Sequence, residues 1–156
     1  MNFKGILLTF LLSIPLSSAE NSMLGYWLTS ESIVHVKKCE EKLCATIEHI
    51  FVDEGIDPET IKDENNRDKS LRNRSLIGIN LLDDFIYENS TELNNGRIYD
   101  PNRGRFFKSN LYLLETGELK VEGCLLRLCQ HVLWQELEVS IDSDGNRAAT
   151  LKKIII

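Results

Sequence analysis

The chain is poor in the residues that most chemistry needs. It has three histidines, His35, His49 and His131, and none of its serines or cysteines stands in a recognisable nucleophile motif. No spacing of His, Cys, Asp and Glu matches a catalytic metal site, so the sequence leads to an expectation of no enzyme activity and no cofactor or metal. Basic clusters are missing as well. With 18 Lys and Arg against 24 Asp and Glu, for a net charge of −6, the chain offers nucleic acid or an anionic membrane no positive patch. Long amphipathic helical periodicity is absent, and so are internal repeats. The one extended apolar run, from Gly5 to Leu16, is short of the roughly 20 residues that a spanning helix takes.

What is present begins with that run. Lys4 precedes it and Ser17-Ser18-Ala19 follows it, the order of an export signal cleaved after Ala19. Residues 1–19 are therefore expected to be a signal peptide and 20–156 a single β-barrel domain, periplasmic or secreted, with no stable membrane insertion after cleavage. A core is affordable, since 42% of the residues are hydrophobic.

Gly96 to Trp134 carries the strongest pattern, four strands joined by short turns. Closing the Asp100–Gly104 turn sets Ile98 opposite Phe107. Closing Glu115-Thr116-Gly117 sets Leu113 opposite Leu119 and Leu111 opposite Val121. Treating Cys124 and Cys129 as the ends of the next hairpin sets Val121 opposite Val132 and Leu119 opposite Trp134. Every pair is apolar. Because side chains alternate faces with period two, a one-residue error would scatter the set, so all eight residues are expected on one inward face.

The four cysteines fall in two segments of the form Cys-x-x-basic-Leu-Cys, Cys39–Cys44 and Cys124–Cys129, each at a predicted hairpin tip. In an exported chain these read as two local disulfides on the outer face, worth about 2 kcal/mol each by loop entropy. Pairing Cys39 with Cys44 places Val36 opposite Ile47 and His35 opposite Glu48; pairing Cys124 with Cys129 places Glu122 opposite His131. A histidine across a strand from a glutamate reads as a surface ion pair.

The remaining elements are less regular. Met23 to Thr29 is a short strand carrying Gly25-Tyr26-Trp27, and Ile33–Cys39 with Leu43–Phe51 forms a hairpin with Val34, Val36 and Ile47 facing in. Val52 to Ser75 is a polar loop. Its Asp63-Glu64-Asn65 has the flavour of a calcium loop, but Arg67 stands at the next ligand position, so a solvated loop is expected. Arg72 and Arg74 can pair with acidic neighbours in the same segment. Leu76 to Leu82 returns to strand, and Asn94-Asn95-Gly96 reads as a turn. Beyond Trp134, a bulge near Gln135 would bring Leu137, Val139 and Ile141 inward and keep Glu136 out. A last strand, Arg147 to Ile156, can set Leu151 opposite Leu137 and Lys152 opposite Glu136. The whole reads as an all-β, small antiparallel up-and-down barrel of eight to ten strands.

Gly25-Tyr26-Trp27, Asp63-Glu64-Asn65, Leu71 to Gly78, the Gly96-x-Ile98-Tyr99-Asp100-Pro101-x-x-Gly104 segment, Leu119 to Cys124 and Trp134 together resemble the bacterial exported family catalogued as domain of unknown function 2147. The resemblance implies an extracytoplasmic, lipocalin-like barrel. Two features depart from it: the family commonly carries arginine two residues after the late tryptophan, where this chain has Glu136, and the last strand runs past the family pattern.

On the predicted inner face, Ser109, Gly123 and Gln130 form one layer between apolar layers that include Phe107, Val121 and Val132. Two small residues and one amide leave a gap, which either holds a small apolar ligand or is filled by Trp27 or Phe85. Trp27, Phe107, Ser109, Gly123, Gln130 and Trp134 are accordingly the candidate ligand-binding residues. The other reading is an envelope protein-protein interaction module using Leu125, Leu126 and Leu128 at the braced tip, although some of those leucines are expected to fold inward as a lid.

Overall fold

A computed structural model describes residues 22–153 with the exception of Asn89; the expected signal peptide and the three terminal isoleucines lie outside the described residues. The described residues form nine strands: β1 Gly25–Leu28, β2 Ser32–Cys39, β3 Lys42–Ile50, β4 Leu82–Asp83, β5 Glu92–Asp100, β6 Arg105–Leu113, β7 Leu119–Leu125, β8 Leu128–Ile141 and β9 Arg147–Leu151. Their order, β3-β2-β1-β8-β7-β6-β5-β4, is an up-and-down meander rolled up by the antiparallel β1–β8 ladder, with β9 added to β8. The fold is the expected all-β barrel.

The seam between β3 and β5 is closed by an irregular segment in place of the continuous strand expected over Leu76–Leu82. Gly78 has a φ of +88°, which interrupts the extended backbone. The segment still bonds to β3 in steps: Gly78 N–H to the Ile47 carbonyl at 2.8 Å, Leu81 N–H to Ala45 at 2.7 Å, and Leu43 N–H to Phe85 at 2.9 Å. On its other side Tyr99 N–H donates to Leu81 at 2.7 Å, and Leu82 pairs with Ile98. These bonds satisfy edges that would otherwise face solvent.

The late hairpins have the register that the apolar pairs require. Ile98 faces Phe107, Leu111 faces Val121, Val121 faces Val132, and Leu119 faces Trp134. Leu111, Leu113, Leu119, Val121 and Trp134 join Trp27, Val34, Val36, Leu43, Ile47 and Phe85 in the core. Val132 shares their face yet stays 54% exposed, because the barrel is open at its level.

Four expectations are corrected. In the first hairpin Cys39 pairs with Lys42, so Val36 lies opposite Ala45, Val34 opposite Ile47, and His35 opposite Thr46. The connection is the tight Glu40-Glu41 pair, with Glu40 at φ +56°, and the Cys39–Cys44 disulfide crosses the hairpin diagonally. Asn94-Asn95-Gly96 is a bulge inside β5, where Asn95 takes a φ of +65° and one extra residue enters between the Leu93 and Gly96 pairs. No pleat shift occurs at Gln135: Glu136 pairs with Trp27 on the inner face, and Leu137 pairs with Tyr26 on the outer one. The Glu136 carboxylate lies beside Gly25 and meets Lys152 Nζ at 2.7 Å. The expected pairings of Leu151 with Leu137 and of Lys152 beside Glu136 both occur. Finally, Val52–Ser75 is anchored to the barrel instead of being solvated throughout, since Asp63 and Asn66 are buried.

Candidate functional site

One end of the barrel is packed and the other is hollow. At the packed end Trp27 is wholly buried, with its indole N–H donating to the Met23 carbonyl at 2.9 Å. Phe85 lies across Gly96 so closely that its ring occupies the space a side chain there would fill. The open end holds a cavity of about 570 Å³. Its walls are largely apolar: Ile47, Ile50, Leu76, Leu81, Ile98, Phe107, Val121, Val132 and Trp134.

The Ser109, Gly123 and Gln130 layer is present as one ladder rung across β6, β7 and β8. Phe85 fills the barrel beside its Ser109 end, because Gly96, the partner of Ser109 on β5, is the residue under the ring. At the other end Gly123 and Gln130 line the cavity. A Cβ on Gly123 would have Ile98 Cγ2 as its near neighbour at 3.7 Å, an ordinary contact, so the gap there is real space. Ser109 Oγ is buried and has no hydrogen-bond partner among the described residues. Such a hydroxyl destabilises the barrel by about 1–3 kcal/mol until a water or a ligand atom reaches it.

The mouth is formed by the Thr29–Ser32 connection, the Asp100–Gly104 turn and the tip of the β7–β8 hairpin. Cys124 and Cys129 stand directly opposite each other and are disulfide-bonded, which fixes that tip. Its leucines do not fold inward as a lid. Leu126 is 93% and Leu128 80% exposed, with Leu126 at φ +56° in the turn; Leu125 and Leu128 border the mouth. Arg103 and Arg105 place their guanidinium carbons 5.7 and 4.6 Å from the centroid of the Phe107 ring.

A second polar cluster lies outside the cavity, on the outer face of β5. Asp63, with a fully buried side chain, accepts from Arg74 Nη2 at 2.8 Å, Arg74 Nε at 3.0 Å, Asn66 Nδ2 at 2.7 Å and the Tyr99 hydroxyl at 2.6 Å. The expected pairing of the loop's arginines with its own acids is thus made by Arg74. Both oxygens are engaged, Oδ2 by Arg74 and Asn66 and Oδ1 by Tyr99, so the cluster clamps the 53–75 loop onto the barrel. Among the described residues no group of His, Cys, Asp and Glu could hold a metal ion.

Burial, then the hydrogen bond to Asp63, pushes the Tyr99 phenol from 10.0 up to about 12. The folded state therefore keeps this proton after the unfolded chain has released it. Stability should fall as pH rises from about 10 to about 12, by at most about 1.4 kcal/mol per pH unit from this group. Urea unfolding at pH 9 and pH 11 should show a smaller drop for Tyr99→Phe than for the wild type; equal drops would mean that Tyr99 is not held in this way.

Of the candidate residues, Phe107, Gly123, Gln130 and Trp134 lie on the cavity wall, while Trp27 and Ser109 are buried outside it. His35 stacks on Tyr26 at 4.2 Å and sits 3.9 Å from Glu48, on the outer face, and burial lowers its pKa more than Glu48 raises it. Sequence reasoning missed Ile50, at the end of β3, and Leu76 and Leu81, which reach the cavity from the irregular segment, and it missed Arg105. The alternation through Phe107 and Ser109, extended back two residues, is the signal that finds Arg105 on the inward face.

The architecture and hollow end define a lipocalin-like β-barrel. A solved structure titled "Protein HP1028 from the human pathogen Helicobacter pylori belongs to the lipocalin family" matches with a TM-score of 0.64 and 22% identity, over 78% of this chain and 85% of that one. At that identity the likeness concerns the fold. The chain belongs to the family described as "Uncharacterized protein conserved in bacteria (DUF2147)", whose model matches residues 25–136. β9 lies beyond the matched range. No curated protein matches the chain.

Proposed function

We propose that the protein is an exported carrier that holds a small apolar ligand in the bacterial cell envelope. The open-ended cavity of about 570 Å³ carries this reading, since its size and its apolar lining with a few polar groups suit a small ligand. Export is supported by the composition of residues 1–19 and by two disulfides, bonds that persist in oxidising compartments. In this reading the chain binds without catalysis, and His35 serves the outer surface.

The alternative, an envelope interaction module without a ligand, is favoured by the exposure of Leu126 and Leu128 on a rigid tip. One experiment separates the two. Protein purified from its own host should release a small apolar species on solvent extraction, seen by mass spectrometry. Gly123→Leu, which directs a side chain into the cavity, should fold normally and lose most of that species, a drop of about tenfold or more. An empty wild-type protein that retrieves an envelope protein through its tip would overturn the carrier reading in favour of the module.

A further inference from the structure

We propose that Arg105 is the headgroup receptor of this cavity, so that the ligand is an amphiphile with an anionic carboxylate or phosphate on an apolar tail; this rests on the carrier reading. Arg105 opens β6 two residues before Phe107, and alternation puts the two on the same inward face. Its guanidinium lies over the Phe107 ring at 4.6 Å, at the rim of the apolar cavity.

None of the charges at the mouth is paired with Arg105. Arg103 meets Asp100 at 2.8 Å, and Asp100 also accepts the backbone N–H groups of Asn102 at 2.9 Å and Arg103 at 3.2 Å. Glu31 also lines the mouth, and among the described residues its carboxylate makes no ion pair, with Arg105 or with any other cation. Among the described residues Arg105 makes no ion pair and no side-chain hydrogen bond, so its fork of donors is left unmatched beside an apolar space. A guanidinium stacked on an aromatic ring is held in one plane and partly stripped of water, which favours bidentate pairing with a carboxylate or phosphate. An apolar ligand with no charge would leave that fork unused.

Calorimetric titration of the lipid-stripped protein with dodecanoate, dodecyl phosphate and 1-dodecanol tests this. At least one anion should bind about tenfold or more tightly than the alcohol, and Arg105→Gln should remove that advantage while Arg105→Lys keeps part of it. The tighter of the two anions identifies the head. Equal affinity for all three in the wild type, or an advantage that survives in Arg105→Gln, overturns the role of Arg105 and leaves the carrier reading standing. Should Arg105→Gln not fold, the wild-type ratio decides alone. Binding of none of the three, with no extractable species from the host, overturns both.

Discussion

Replacing Asp63 by alanine should lower the unfolding free energy by about 3 kcal/mol, read as a shift of the urea midpoint at constant slope and as a fall of roughly 10 °C in the melting temperature. The size follows from what the change strands. Tyr99 and Asn66 are buried and direct donors at this carboxylate; without it the Tyr99 hydroxyl loses its acceptor, and Asn66 Nδ2 is left with the Tyr99 oxygen alone, at 2.8 Å. Arg74 suffers less, because its side chain is 38% exposed and can turn to solvent; this keeps the estimate at the lower end for a broken buried pair. Arg74→Ala should therefore be the milder change, at about 1–2 kcal/mol. A loss below 1 kcal/mol for Asp63→Ala would show that the 53–75 loop does not depend on this clamp.

That clamp also shows where the sequence stops being readable. Tyr99 and Gly104 stand in the most distinctive segment, but their partners are Asp63 and the Asn65 backbone, more than thirty residues earlier in a loop with no periodicity to locate it. Short hairpins have no such gap. Turns of a few residues fix the registers from β5 to β8, and apolar pairs then test each one. The first hairpin escaped that test for a specific reason. A slip of two residues, from Cys39 opposite Cys44 to Cys39 opposite Lys42, keeps every side chain on its face, so the alternation of Val34, Val36 and Ile47 is the same in both. Identical Cys-x-x-basic-Leu-Cys segments thus close differently: the turn residues are the first and second after Cys39, but the second and third after Cys124.

The candidate site was half legible for a related reason. Ladder pairing located the Ser109–Gly123–Gln130 rung, since neighbours on a sheet follow from register alone. Which end of that rung is filled depends on Phe85, which arrives from an irregular segment that pairs with β3 only in steps. Charge misled at Glu136, and Arg105 went unread. Glu136 and Arg105 both lie on the inward face, one beside Gly25 and paired with Lys152, the other stacked at the open rim. At the open end the Arg105 head still reaches water, while Glu136, level with Trp27 toward the packed end, is held by its ion pair with Lys152.

Gly104→Ala should destabilise the fold by about 3 kcal/mol or more, and a comparison of glycines isolates the cause. Gly104, Gly55 and Gly78 all have positive φ, at +62°, +87° and +88°, so alanine at any of them pays for a left-handed backbone, about 1 kcal/mol. Around Gly55 and Gly78 a Cβ would meet nothing within 4 Å. At Gly104 it would overlap the carbonyl oxygen and carbon of Asn65, rigid backbone that cannot swing aside as a side chain could. Arg67 N–H also donates to the Gly104 carbonyl at 3.1 Å, so relieving the overlap means breaking the bond that docks the loop onto the β5–β6 turn. Overpacking of this kind adds roughly 1–3 kcal/mol to the conformational term. The expected order of urea midpoints is Gly55→Ala close to Gly78→Ala, with Gly104→Ala well below both, and with faster proteolysis within residues 53–75. If all three variants lose the same small amount, the turn does not rest on Asn65, and the Gly96-x-Ile98-Tyr99-Asp100-Pro101-x-x-Gly104 segment has no docking role to explain its last glycine.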